Sequence, residues 1–201
     1  MSYVVYGDVS LGFFPLYLLP TYDIPYSTYD GFFCHRMAAD CTMRFVISTL
    51  HIIYASTSGH TEYVVGVLKD FLSKKVPGLA VEVQTAESAK PGDLLRGDVL
   101  ILASGTWNIA GTEGQMNPHM YEYLLKEAKD MDLSGKKVGI IALGDSRYYY
   151  TSRAGEHLRN YVQSHGGSVL GVPLTVINEP YGQEERVEKW GEKFFNQLSD
   201  L

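Results

Sequence analysis

Six consecutive residues, Ser56-Thr57-Ser58-Gly59-His60-Thr61, hold four hydroxyl side chains and one glycine. Short hydroxyls are compact donors, and a glycine lets the backbone pass close to a ligand. If a helix starts here, its free amide hydrogens and its dipole add to a site for an anion. Capping by Ser or Thr explains one or two such hydroxyls but not four. The loop has no Gly-Lys-Ser/Thr ending, so it is no triphosphate loop, and no GxGxxG, so it is no dinucleotide fingerprint. A monophosphate held without a basic side chain fits it best. His60 has two open readings: a protonated imidazole beside the phosphate, strengthening the hold in mild acid, or a loop histidine facing solvent.

Two further stretches carry planar groups. Ser104-Gly105-Thr106-Trp107-Asn108 presents an indole, whose broad polarisable face can stack on a flat heterocycle and exclude water. Taken alone, that Trp could equally be a core or interface residue. Leu143-Gly144-Asp145-Ser146-Arg147-Tyr148-Tyr149-Tyr150 ends in three tyrosines, which could form a second stacking plane or a surface patch. Elsewhere there is no Ser-His-Asp grouping, carboxylate pair or metal cluster. His119, His157 and His165 read as surface or packing residues. Lys136-Lys137 reads as a turn and strand start, and Glu184, Glu185, Glu188 and Lys189 as a solvated helix face.

The surrounding elements must bring these loops together. Ile47–Ala55 is a β-branched, apolar strand running into the hydroxyl loop. Tyr63, Val64, Val67, Leu68, Phe71 and Leu72 then share one helical face, ended by Pro77-Gly78. Leu79–Thr85 alternates as a strand, whereas Val99–Ala103 and Val138–Leu143 are continuous apolar runs covered on both faces. Between these two runs, a helix turns Tyr121, Leu124, Leu125 and Ala128 inward. A helix over residues 151–164 stops at Gly166-Gly167, Val169–Ile177 makes a fifth strand, and a last helix packs Val187, Trp190, Phe194 and Leu198. The implied fold is α/β: a doubly wound five-stranded parallel sheet with helices on both faces. Ligands in such sheets bind at the carboxyl ends of the strands, which is where all three loops fall.

The 201 residues suit one domain with an appendage, and 45% hydrophobic against 20% charged residues allows a compact core. A net charge of −6 excludes nucleic acid as the main partner and suits docking on a basic one. Cys34 and Cys41, with six residues between them, do not form a zinc set and read as free thiols in a reducing cytoplasm. No apolar run reaches the roughly 18–20 residues that cross a bilayer, and Leu11–Leu19 lacks a basic flank and a cleavage site. Residues 1–50 contain no Lys or Glu but six of the fifteen tyrosines and three of the eight prolines. We expect residues 1–46 to be an irregular extension before a domain spanning 47–201. The alternative is a start at Met43, with the upstream stretch an artefact of start-site choice.

Ile52-Ile53-Tyr54-Ala55-Ser56-Thr57-Ser58-Gly59-His60-Thr61-Glu62 resembles the phosphate loop of flavodoxins, Ser/Thr-x-Ser/Thr-Gly-x-Thr. Thr106-Trp107 matches the family's Thr-Trp pair, whose Trp covers one face of the isoalloxazine ring. Gly144-Asp145-Ser146-Arg147-Tyr148 is similar to the Gly-Asp-Ser-x-Tyr segment, whose Tyr covers the other face. The resemblance covers about 150 residues, is of the short-chain type, and implies strand order 2-1-3-4-5. It implies flavin mononucleotide (FMN) as cofactor, held by Ser56, Thr57, Ser58, Gly59, His60, Thr61, Gly105, Thr106, Trp107, Asn108, Leu143, Gly144, Asp145, Tyr148 and Tyr150. The function it implies is a low-potential one-electron carrier. Such a carrier is expected to be monomeric and cytoplasmic, docking on a reductase and an acceptor protein. An FMN-dependent NAD(P)H:quinone oxidoreductase on the same fold is the alternative, and a module that has lost its cofactor is a weaker one.

Two residues depart from the family pattern. His60 stands where Asn is common, and Asn108 stands where Gly often follows the Trp. Asn enters positive φ less freely than Gly, so the peptide rotation that favours the half-reduced flavin is hindered. Asn108→Gly is expected to raise the yield of the flavin radical during anaerobic titration, and equal yields from the two proteins would refute this.

Overall fold

A computed structural model describes residues 47–199. The expected extension over 1–46, with Cys34, Cys41 and the Leu11–Leu19 run, lies outside the described residues. The strands are β1 (Thr49–Ala55), β2 (Ala80–Thr85), β3 (Val99–Ile109), β4 (Thr112–Met116), β5 (Lys137–Gly144), β6 (Ser168–Val169) and β7 (Leu174–Ile177). The helices are α1 (His60–Lys75), α2 (Pro118–Glu122), α3 (Ala154–Ser164) and α4 (Glu184–Ser199).

One sheet runs β2-β1-β3-β5-β6, with β7 also on β5 and β4 on β3. Every pairing is parallel except β3 with β4. The α/β doubly wound sheet and its 2-1-3-4-5 order are thus as the sequence implied, with two additions. Alternation along β1 splits the interior into two cores. Ile53 and Ala55 face one, with Leu100, Leu102, Ile140 and Leu158, and Leu50 and Ile52 face the other, with Leu68, Ile101, Ile141 and Phe194. Full burial of each of these Leu, Ile and Phe side chains is worth about 1.5–3 kcal/mol.

The first addition is a hairpin. The segment from Gly105 to Asn108 is not a loop but the far end of β3, which leaves β5 and turns back through Ala110 (φ 50°) and Gly111 (φ 82°) into β4. Positive φ at both central residues is the two-residue turn whose twist matches a hairpin. The second is a break in the expected fifth strand. β6 pairs with Lys137 and Val138, β7 pairs with Ile141–Gly144, and residues 170–173 belong to neither. Pro173 has no amide hydrogen for the ladder, and Gly171 adopts φ 65°. The Val172 carbonyl released there accepts the Trp190 indole N–H at 2.7 Å.

One inward assignment is corrected. Leu124 and Ala128 are fully buried, but Leu125 is exposed, and Tyr123 takes the inward place. After α2 the chain widens into a π-turn over Tyr123–Glu127, with the Ala128 amide bonded to the Tyr123 carbonyl, which rotates the face by about one residue.

At the end of the sheet opposite the three loops, titratable groups are wholly or partly buried. Lys136, only 9% exposed, donates from Nζ to the carbonyls of Leu95 (2.9 Å), Arg96 (2.7 Å) and Gly97. Asp98 accepts from the Ser48 and Thr49 amides at 2.8 and 2.9 Å, which pulls its pKa down. His51 is 1% exposed and its ring nitrogens have no hydrogen-bond partner, with Glu82 Oε2 lying 3.5 Å from Nδ1. Burial, and then the Arg96 charge, lower its pKa from 6.5, against opposing pulls from Glu82, Asp93 and Gln84. The unfolded chain therefore takes up this proton first, so the His51 contribution is constant above pH 6.5 and destabilises as pH falls below it, by up to about 1.4 kcal/mol per pH unit. His51→Phe is expected to flatten the stability–pH curve below 6.5 in denaturant unfolding, and an unchanged slope would contradict this.

Candidate functional site

A cavity of about 860 Å³ opens at the carboxyl ends of β1, β3, β5 and β7, within the range of small-molecule sites. Thirteen of the fifteen sequence-predicted residues line it: Thr57, Ser58, His60, Thr61, Gly105, Thr106, Trp107, Asn108, Leu143, Gly144, Asp145, Tyr148 and Tyr150. Ser56 and Gly59 do not. Gly59 instead caps α1 at φ 84°, the left-handed turn that brings the hydroxyl loop onto the helix axis. Ser56 Oγ is buried and has no partner among the described residues.

At the α1 end, Thr61 is 4% exposed in the first turn, and the loop's amides and hydroxyls gather at the positive pole of a 16-residue helix. A Cβ placed on Gly105 would stand 3.1 Å from Trp107 Nε1 and 3.8 Å from Thr61 Oγ1. The absent side chain at 105 therefore makes room for the indole beside the phosphate loop. Thr106 turns its hydroxyl the other way, accepting the Ala154 amide at 3.2 Å and so capping α3. Trp107 lies in the hairpin opposite Gln115, and the ladder slips between Trp107 and Ile109, leaving Asn108 at a bulge.

The tyrosine loop is held tightly. A Cβ on Gly144 would fall 1.3 Å from the Thr151 carbonyl oxygen, so the two backbone segments touch. Gly144 O accepts the Asn178 amide at 2.8 Å, and Asn178 Oδ1 accepts from Ser146 N and Oγ at 2.9 and 3.0 Å. Tyr150 packs on Gly114, where a Cβ would come within 2.7 Å, and its ring lies under the Arg153 guanidinium at 4.6 Å. Tyr148 and Tyr149 are 61% and 87% exposed, so the first of the three lines the cavity, the second faces solvent and the third braces the hairpin.

Charge at the mouth is mixed. The Arg147 guanidinium grips Asp145 through both oxygens, at 3.0 and 2.5 Å, and holds its pKa down at about 2. Asp145 is thus ionised and compensated. Glu113 and Glu179 also line the cavity, and His60 Nε2 lies 3.2 Å from Glu179 Oε2, reaching across to the loop after β7. Neither reading of His60 anticipated this partner.

Glu113, Gly114, Ser146, Arg147, Thr151, Asn178 and Glu179 were missed as cavity residues. Asn178 and Glu179 directly follow the last strand, so the carboxyl-end rule already pointed there. Glu113 and Gly114 required the Ala110-Gly111 turn to be recognised. Among the described residues, no group of His, Cys, Asp and Glu could hold a metal ion, and no helix is long and apolar enough to cross a membrane.

The cavity has parts that FMN needs: the hydroxyls of Thr57, Ser58 and Thr61 at a helix head, and the Trp107 indole and Tyr148 phenol in its lining. Gly144→Ala is expected to cost several kcal/mol or displace the tyrosine loop, because backbone rather than a flexible side chain occupies the space. A thermal melt within a degree of wild type would contradict this.

A flavodoxin family model matches residues 52–190. A flavodoxin of Maridesulfovibrio salexigens is 27% identical over 141 residues, covering 70% of this chain and 92% of its own. The sulfite reductase [NADPH] flavoprotein alpha-component of Vibrio parahaemolyticus is 30% identical over 141 residues, 70% of this chain but 22% of that one. The crystal structure of oxidised flavodoxin 1 from Bacillus cereus superposes with TM-score 0.66 at 25% identity, covering 74% of this chain and 98% of that one. With its three loops converging on one cavity, the chain belongs to the flavodoxin family of FMN-binding electron carriers.

Proposed function

We propose that this chain holds FMN non-covalently in the cavity and passes single electrons at low potential between partner proteins. The observation that carries the proposal is the convergence of the hydroxyl loop at the head of α1 with Trp107 and Tyr148 on one opening. Ser56, Thr57, Ser58 and Thr61, with the loop amides, bind the phosphate dianion. Charge-assisted hydrogen bonds do this without a basic side chain. Trp107 and Tyr148 flank the ring and exclude water, and the backbone of Leu143, Gly144 and Asp145 borders its polar edge. The bound cofactor supplies the redox chemistry, and the protein tunes it.

Three carboxylates, Asp145, Glu113 and Glu179, face the opening against one guanidinium, Arg147. Added electrons meet a net negative field in a poorly solvated slot, which lowers the potential. Arg147 moderates that field by engaging Asp145. The acidic rim and the formal charge of −6 fit partners with a basic docking face. We place such a carrier in the cytoplasm, working as a monomer. Nothing in the cavity favours the NAD(P)H:quinone oxidoreductase reading over this one.

The decisive experiment is the visible spectrum of freshly purified protein, followed by reconstitution of the apoprotein with FMN. Yellow protein, with flavin fluorescence quenched on binding, is expected. A colourless chain that accepts no FMN would end the proposal. Combined Ser58→Ala and Thr61→Val should weaken FMN at least tenfold, as each removes a donor to a charged oxygen worth about 1.5–3 kcal/mol.

A further inference from the structure

We infer that Asn117 is a positioning residue that sets the direction of the Thr57 hydroxyl and thereby the phosphate selectivity of the cavity. The inference rests on the FMN reading above. Asn117 lies outside the three motif loops and outside the cavity lining, and it is fully buried at the point where β4 hands over to α2.

Besides accepting the Tyr121 amide at its carbonyl, it makes three hydrogen bonds that join separate parts of the site. The backbone amide donates to Ser104 Oγ at 2.9 Å, midway along β3. Oδ1 accepts the His119 amide at 3.0 Å, and Nδ2 donates to Thr57 Oγ1 at 2.8 Å. The His119 amide can only donate, so the oxygen of the Asn117 amide must face it and the NH₂ must face Thr57. The orientation is therefore fixed by a backbone group.

A hydroxyl that accepts one hydrogen bond still has its own proton to give. No described residue takes the Thr57 proton, and Thr57 lines the cavity. With one lone pair occupied by Asn117, Thr57 can direct O–H into the phosphate end as a donor. Donating to the Thr57 oxygen also polarises that O–H bond and strengthens it towards an anion. A carboxylate at 117 would do the reverse: it would accept the Thr57 proton and turn the oxygen lone pairs towards the ligand.

The test compares FMN with riboflavin, which lacks the phosphate, by fluorescence titration of apoprotein. Asn117→Ala is expected to weaken FMN about tenfold while riboflavin affinity changes less than twofold. Thr57→Val should give the same phosphate-specific loss, and adding Asn117→Ala to it should cost nothing more. Asn117→Asp should be worse than Asn117→Ala for FMN and again near neutral for riboflavin. Equal losses for both ligands would make Asn117 a packing residue and overturn the inference, as would additive losses in the double variant. If Asn117→Ala proves too unstable to titrate, Asn117→Asp, which keeps the bond from His119, decides by the same ratio. Wild-type protein that binds riboflavin but gains nothing from the phosphate would refute this assignment alone. Wild type that binds neither would sink the cofactor reading itself.

Discussion

Three strands buried on both faces leave this chain little room for polar chemistry except where those strands end. β1, β3 and β5 are flanked by apolar side chains above and below, and any hydroxyl or charge within them would need a partner. Their carboxyl ends project into the loops that form the cavity. Because the sheet is parallel and consecutive strands sit side by side, those ends lie next to one another without further design.

Position alone does not make a site rigid, and the loops gain rigidity by touching one another. The Thr151 backbone fills the space a side chain at 144 would need, Asn178 fastens Ser146, and Tyr150 leans on Gly114 of the hairpin. Asn117 joins the phosphate loop to the middle of β3 and the start of α2. The glycines at 105, 114 and 144 thus share one physical role, close approach, and only Gly114 also needs positive φ.

What was readable in the amino acids follows from how local its cause is. Unbroken apolar runs at Val99–Ala103 and Val138–Leu143 announce strands covered on both sides, and four hydroxyls in six residues announce an anion seat. The hairpin was legible only through Ala110-Gly111, and Ala is an uncommon residue at positive φ. The inward turn of Tyr123 in place of Leu125 depends on a π-turn, whose wider period no 3.6-residue template detects. The partners of His60 and Asn117 are remote in sequence, 119 residues away at Glu179 and 60 at Thr57, so nothing near either residue could reveal them. The split of three tyrosines into wall, solvent and brace is likewise a tertiary outcome.

The buried Lys136 has a use beyond stability. Its ammonium is engaged by three main-chain oxygens, and burial lowers its pKa. Most other lysines of the domain lie in the open, so an amine-reactive label applied to the native protein would mark them and pass this one by. Label arriving at position 136 would therefore clock the release of the 95–97 segment whose carbonyls hold it. That gives an internal reporter for breathing at the end of the sheet farthest from the cofactor.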